Sequence, residues 1–306
     1  MTQIKVTFLG TTAGIPTKHR NHAAVHLLYR SEQESQFLFD CGEGTQRQIF
    51  TAGLNFMRLN EIFISHWHAD HFAGLLGLME TMNLEKREKE LKIFGPEAQN
   101  FVEVLLDLGY ASKNFPITAQ DVPFEGQEVT TLLDDPEFSV VSIPAKHGIP
   151  AVSYAFVEKD RVKIDKEKCR KLGLPASSPL YRKVKEQGSA NFHGKTVQLD
   201  DIAFMEPGKK VVYSGDTMVT KNMLKLAQNA DLLIHDSTFF EEDVFDKQYR
   251  HTTFEDVLKL AEEAKVKQVV LTHISRRYQN VDAMKEKLKD YPNARIAKDF
   301  MEIVVE

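Results

Sequence analysis

Apolar positions along the chain fall into short runs with two distinct periods. IKVTFLG (4–10) alternates and is rich in β-branched and aromatic residues, which predicts a strand. AAVHLLYR (23–30) and SQFLFDCGEG (35–44) predict two more, and GTQRQIFTAG (44–53) carries helical spacing that stops at Gly53. NEIFIS (60–65) is a short apolar strand, FAGLLGLMETMNL (72–84) a helix, KIFGP (92–96) a strand, and PEAQNFVEVLLDLGY (96–110) a helix that could be capped near Pro96. Strands dominate from ITAQDVPFEG (117–126) through FSVVSIPAKHGIP (138–150) to AVSYAFVE (151–158). The alternating pattern returns at KKVVYSGDT (209–217). LKLAQNADLLIHDST (224–238) and TTFEDVLKLAEEAKVKQVVLTHIS (252–275) each read as a helix followed by a strand. Between the two patterned blocks, 1–157 and 203–306, Gly and Pro clusters in LGLPASSPLYRKVKEQG (172–188) are expected to break up regular structure. The expectation is one layered α/β domain over 1–306 with an inserted arm at 158–200.

Composition changes this picture in one place. With 306 residues, 42% hydrophobic and 27% charged, the chain can bury a substantial core. No apolar run approaches a membrane span, and the N-terminus lacks the basic start and long apolar stretch of a signal peptide. Cys41 and Cys169 are the two cysteines, which implies no disulfide framework and a reducing cytoplasm. The net charge of −5 is unevenly spread: residues 158–195 carry eleven Lys/Arg against five Asp/Glu, a local +6, leaving −11 on the rest. A basic segment on an acidic body would draw a polyanion to that segment.

The candidate chemistry sits at strand ends. His66, His68, Asp70 and His71 follow EIFIS; His147 follows FSVVSIPAK; Asp216 follows KKVVYSG; His273 ends KQVVLT. The carboxyl ends of strands are where layered α/β folds build their sites. Five imidazoles and two carboxylates exceed the four ligands of one zinc ion and suit two, with a carboxylate able to bridge. Nitrogen and carboxylate donors without thiolate fit Zn²⁺ and leave Mn²⁺ or Fe²⁺ open. His19, His22, His26 and His193 lack such company and read as structural or surface residues.

The run SHWHADH resembles the His-x-His-x-Asp-His signature of the metallo-β-lactamase superfamily, with His147, Asp216 and His273 at the later ligand positions. The resemblance implies a four-layer αβ/βα sandwich with two metals at one edge. His66, His68 and His147 would hold the first, Asp70, His71 and His273 the second, and Asp216 would bridge. Within the superfamily, Pro16, Lys18, Arg20 and Asn21 match a Pro-x-Lys-x-Arg-Asn loop of the ribonuclease Z family. FDCGEGTQRQ resembles a further loop of that family, with Asp40 placed to orient a ligand histidine from behind. LIHDSTF stands where the family usually has His-Glu-Ala-Thr, so Asp236 replaces Glu, and YRHTTFED keeps the histidine of a His-Ser-Thr motif at His251. Two further departures are Thr12, where Gly is common, and Ser178-Pro179, where a Gly-Pro motif is usual in the arm.

This resemblance spans nearly the whole chain, from VTFLGTTAGIP to KDFMEI. It implies an endoribonuclease with two Zn²⁺ per subunit that cuts the 3′ trailer from precursor tRNA after the discriminator nucleotide. Asp70 would accept the proton of the attacking water. His251 would protonate the leaving oxygen, with Asp236 orienting it. The loop would sense nucleotides around the cut and reject tRNA that already carries CCA. The arm, through residues such as Arg170, Lys171, Arg182, Lys183 and Lys185, would grip tRNA, and a homodimer is expected. Two other functions remain: a broad phosphodiesterase or arylsulfatase-type hydrolase of the same superfamily, which needs no arm, and a non-catalytic RNA-binding protein, which needs no filled ligand set.

Overall fold

The computed structural model describes residues 2–108, 114–240, 251–278 and 281–306. Two seven-stranded sheets form its frame. In the first the order is Glu302–Val305, Gln3–Gly10, Ala24–Arg30, Glu34–Phe39, Leu59–Phe63, Leu91–Gly95 and Ile117–Asp121. In the second it is Ala294–Ile296, Gln268–Thr272, Leu232–Asp236, Lys210–Tyr213, Val152–Glu158, Phe138–Pro144 and Thr130–Asp134. Strands Lys210–Tyr213, Leu232–Asp236, Gln268–Thr272 and Ala294–Ile296 run parallel, as the helix–strand repeats predict.

Period-two alternation sorts side chains between two interfaces. Phe37, Phe39 and Phe63 meet Tyr154, Phe156 and Tyr213 of the other sheet at ring centroid distances of 5.3–6.0 Å. The intervening Leu38, Ile62 and Ile64 point the other way, with Ile93. There they bury Leu78, Met79 and Met82 of helix Leu75–Leu84 and Val102 and Leu105 of helix Ala98–Asp107. Helix Phe254–Glu263 covers the second sheet through Val257, Leu258, Leu260 and Ala261. The layers are therefore αβ/βα, the expected metallo-β-lactamase sandwich. Truncating one of the central rings, as in Phe63→Ala, should cost about 3–5 kcal/mol because the rigid sheets cannot collapse into the gap.

The helix expected over 72–84 is instead two pieces, Ala69–Phe72 and Leu75–Leu84. At the break Gly74 N donates to Cys41 O at 2.8 Å, outside the helix, and a Cβ there would lie 2.2 Å from Gly42 O, so only glycine fits. Gly109 and Tyr110, at the end of the helix expected over 96–110, lie outside the described residues, as do Tyr249 and Arg250 of the YRHTTFED motif.

The chain divides into two compact units, the smaller comprising Asp135–Phe138 and Val157–Lys209. It contains two short sheets and, within 172–188 where the Gly and Pro clusters are expected to break up regular structure, the helix Pro179–Gln187. Strands Arg161–Ile164 and Ala203–Glu206 pair antiparallel, and so do Ser189–Phe192 and Lys195–Gln198. Helix Lys166–Lys171 starts from Asp165, which accepts from two backbone N–H groups. Helix Pro179–Gln187 starts where Ser178 accepts from Leu180 N, and Pro179 occupies the first turn, where its missing N–H costs nothing. The same proline that reads as a breaker is a helix starter. Cys169, Leu174, Leu180, Val184, Val197 and Ile202 give this unit its own small core.

Candidate metal centre

The strand Leu59–Phe63 ends at Ile64 and Ser65, and the following turn delivers His66, His68, Asp70 and His71 as the short helix Ala69–Phe72 begins. Strand ends of the second sheet bring Asp216 and His273 to the same place, and His147 follows Phe138–Pro144. His66 Nε2 and His147 Nε2 lie 3.0 and 3.2 Å from His68 Nδ1. His71 Nε2 lies 3.2 Å from His273 Nε2, and Asp70 Oδ2 is 3.3 Å from His273 Nε2 and 3.6 Å from His71 Nε2. Four donors around a zinc ion at about 2.0 Å stand about 3.3 Å apart, so both groups have the spacing of tetrahedral ligands.

Asp216 joins them. Its Oδ2 is 3.6 Å from His66 Nε2, while Oδ1 is 3.4 Å from both His71 Nε2 and His273 Nε2. Oδ1 is buried and has no hydrogen-bond partner, an expensive state that a cation would relieve. The seven residues thus fit two divalent ions by donor type, spacing and this orphaned oxygen.

The groups behind the ligands set their tautomers. Asp40, fully buried and at φ 58°, accepts from Ser65 N at 2.7 Å, Ser65 Oγ at 2.8 Å and Tyr213 OH at 2.6 Å. Its Oδ2 also takes His71 Nδ1–H at 2.7 Å. Because Ser65 gives its proton to Asp40, Ser65 Oγ accepts from His66 Nδ1, 3.0 Å away. Thr238 gives its proton to Asp236 Oδ1 at 2.6 Å and accepts from His273 Nδ1 at 2.8 Å. Each bond holds a proton on Nδ1 and turns Nε2 toward the centre.

Electrostatics separate the two groups. Burial pushes His66, His68 and His147 below the ordinary histidine value, His147 to about 4, so these rings are neutral and ready to ligate. Burial acts the same way on His71 and His273, but Asp216 with Asp40, Asp70 and Asp236 outweighs it and holds both above that value. Burial disfavours charge on Asp216, yet His273, His71 and His251 keep its carboxyl well below the usual range.

His251 stands beside this centre, its ring 5.4 Å from that of His273 at an interplanar angle of 26°. Its Nδ1 is 2.7 Å from Asp236 Oδ2, which leaves Nε2 for proton transfer. Burial lowers its pKa, but Asp236 and Asp216 raise it more, so the ring is held above its ordinary value. A cleft of about 390 Å³ opens over His68, Asp70, Asp216, His251 and His273.

Other expected residues are more dispersed. Pro16 and Lys18 are exposed on a loop continuing from Gly14 and Ile15, which line the cleft. Arg20 turns inward: Nη1 donates to Thr11 Oγ1 and Ala297 O, both at 2.7 Å. Asn21 donates Nδ2–H to Glu43 O at 2.9 Å. These two hold the loop's base, and Lys18 is the exposed cation of the motif. Arg170, Lys171, Arg182, Lys183 and Lys185 are all exposed on the smaller unit. Sequence reasoning missed Ser65, Tyr213 and Thr238 behind the ligands. It also missed Arg276 and Arg277 in the cleft wall, Arg277 lying 5.5 Å over the Phe239 ring. The Arg-Arg pair three residues after His273 was the available signal; the hydroxyls had none.

Comparison with known proteins agrees over the full length. The family model described as "Beta-lactamase superfamily domain" matches residues 188–274, and "Anti-Pycsar protein Apyc1" matches 4–140. Ribonuclease Z of Archaeoglobus fulgidus is 40% identical, covering 98% of this chain and 97% of that protein. Ribonuclease Z of Bacillus subtilis is 36% identical, covering 99% of each. The crystal structure of human tRNase Z, short form, superposes with a TM-score of 0.71 at 28% identity over 99% of both chains.

Proposed function

Since the chain belongs to the ribonuclease Z family of metal-dependent endoribonucleases, we propose that it removes the 3′ trailer from precursor tRNA. The cut would fall after the discriminator nucleotide, leaving a 3′-hydroxyl on the tRNA and a 5′-phosphate on the trailer. The observation that carries this assignment is Asp216, with one oxygen toward each histidine group and the His251–Asp236 pair alongside.

His66, His68 and His147 would hold one ion, Asp70, His71 and His273 the other, and Asp216 both. Zn²⁺ suits these donors, and Mn²⁺ or Fe²⁺ is compatible. Bound there, the ions would supply Lewis acidity that activates water near neutral pH and offsets phosphate charge. Asp70 accepts the proton released by the attacking water. His251 donates its Nε2 proton to the departing 3′ oxygen, and Asp236 stabilises the charged ring beforehand. Both protons then re-equilibrate with solvent.

Substrate selection follows from surface charge. Arg170, Lys171, Arg182, Lys183 and Lys185 lie in the segment of local charge +6 and would bind tRNA in a salt-dependent way. Pro16 and Lys18 would meet the nucleotides around the cut, with Arg20 and Asn21 keeping their loop in shape. A homodimer would let one subunit's arm hold RNA cut by the other. Among the described residues no helix is long and apolar enough to cross a membrane, and we place the reaction in the cytoplasm.

The deciding experiment is cleavage of a 3′-trailered precursor tRNA, with and without encoded CCA, mapped to the nucleotide. A single cut after the discriminator, abolished by chelator and by CCA, is expected. Cuts after CCA would overturn the sensing role of the loop. Hydrolysis of a small phosphodiester without RNA cleavage would make the protein a broad phosphodiesterase.

A further inference from the structure

Residues 11–15 run between the sensing loop and the centre, hydrogen-bonded on both sides. Thr12–Ala13 pairs in parallel with Ile274–Ser275, the two residues after His273, and Ile274 N donates to Thr11 O at 3.0 Å. Thr12 is fully buried, and its hydroxyl lies 3.2 Å from Ile15 O and 3.4 Å from Ile274 O. One proton therefore serves the carbonyl of the Ile15–Pro16 peptide, where the loop begins, and a carbonyl beside a candidate ligand. Gly14, at φ 58°, donates its N–H to Asp70 Oδ2 at 2.8 Å. The space around its missing Cβ is open, so the backbone angle, and not room, calls for glycine there. Asn21 O accepts Thr11 N and Thr12 N at 2.9 and 3.1 Å, which ties the far end of the loop to the same short segment.

We propose that residues 12–15 form a brace coupling the order of the 16–21 loop to occupancy of the Asp70–His71–His273 site, with Thr12 as its positioning residue. This rests on the metal site assigned above. The Gly14 N–H and the second ion share the Asp70 carboxylate. With the brace formed, the amide holds that carboxylate beside His273. With the loop displaced, Asp70 must be ordered by the ion alone, which weakens its binding. Linkage makes the effect reciprocal: an ion that prefers the braced loop orders it, and a ligand that orders the loop tightens the ion by the same factor. Thr12 strengthens the coupling at a position where the family commonly has glycine, which has no hydroxyl to offer.

The test uses amide hydrogen exchange and Zn²⁺ titration of the full chain, with no RNA present. In the wild type, Zn²⁺ should slow exchange across 14–20; unchanged exchange would overturn the brace. Thr12→Val should weaken the lower-affinity Zn²⁺ equilibrium by roughly fivefold and abolish the metal effect on loop exchange, and Thr12→Ser should restore both. With saturating metal, Thr12→Val should raise KM for trailered RNA more than it lowers kcat. A Val variant that matches the wild type in Zn²⁺ affinity and loop exchange would remove Thr12 from the mechanism. If that variant does not fold, the wild-type exchange experiment still decides the coupling. Because exchange and titration involve no substrate, an error in the tRNA assignment would leave their outcome intact.

Discussion

Asp236 Oδ2 lies 2.7 Å from His251 Nδ1, although aspartate is one methylene shorter than the glutamate usual in the family. The contact survives because Asp236 ends its strand directly beside the ring. The second carboxylate oxygen is fixed by Thr238 N and Oγ1 at 2.9 and 2.6 Å.

This pairing carries a pH signature. Asp236 helps hold the His251 pKa above its ordinary value, so the ring stays protonated to higher pH. Asp236→Asn removes the largest of the charges that oppose burial, and the pKa falls. A general acid works only when protonated, so the alkaline limb of kcat should move to lower pH. A loss of roughly 10²-fold in kcat is expected near neutrality, with RNA affinity nearly unchanged. An alkaline limb that stays in place would remove His251 as the acid.

Asp40 touches no expected ion, yet it anchors His71 directly and His66 through Ser65. Asp40→Asn keeps the volume but offers an amide N–H₂ where four donors now converge. Metal affinity, read by competition with a graded chelator, should fall about 10- to 100-fold. Unaltered affinity would mean that backbone geometry alone orients these rings.

Removing residues 160–195 should leave hydrolysis of a chromogenic phosphodiester within a few-fold of the wild type while abolishing precursor tRNA cleavage. The deleted residues lie within the smaller compact unit, which has a core of its own. Loss of turnover on the small substrate as well would make the segment part of the catalytic body.

His26 gives a stability prediction away from the centre. It is buried in the first sheet, with Nε2 3.1 Å from Gln36 Oε1, and burial pushes its pKa down to about 4. The unfolded chain, with an ordinary pKa of about 6.5, therefore binds this proton first as pH falls. Stability is full above about 6.5 and declines toward 4, by up to about 1.4 kcal/mol per pH unit from this residue. In His26→Leu, urea unfolding between those values should depend less steeply on pH. An unchanged slope would show that other groups govern acid unfolding.

The sequence by itself determined the alternating elements of both sheets and singled out the histidine–aspartate cluster proposed here as the ligand set. Both are local: period-two burial writes each strand, and three histidines with an aspartate within 66–71 leave little else to read. Behind those residues the resemblance offered Asp40 alone, which lies 2.7 Å from His71 Nδ1. Ser65, Tyr213 and Thr238 are ordinary polar residues in one dimension, and only packing two sheets face to face brings Tyr213 onto Asp40 across 173 positions. Nor could the sequence decide which cations face out. Lys18 and Arg20 are two residues apart, but the Arg20 guanidinium has carbonyl and hydroxyl acceptors within reach inside the fold. Pro179 shows the same limit at the backbone: whether a proline ends a helix or begins one depends on Ser178 being free to cap it. Hydrophobic periodicity is a property of neighbours along the chain, whereas hydrogen-bond partnership across the centre is set by residues that only folding makes neighbours.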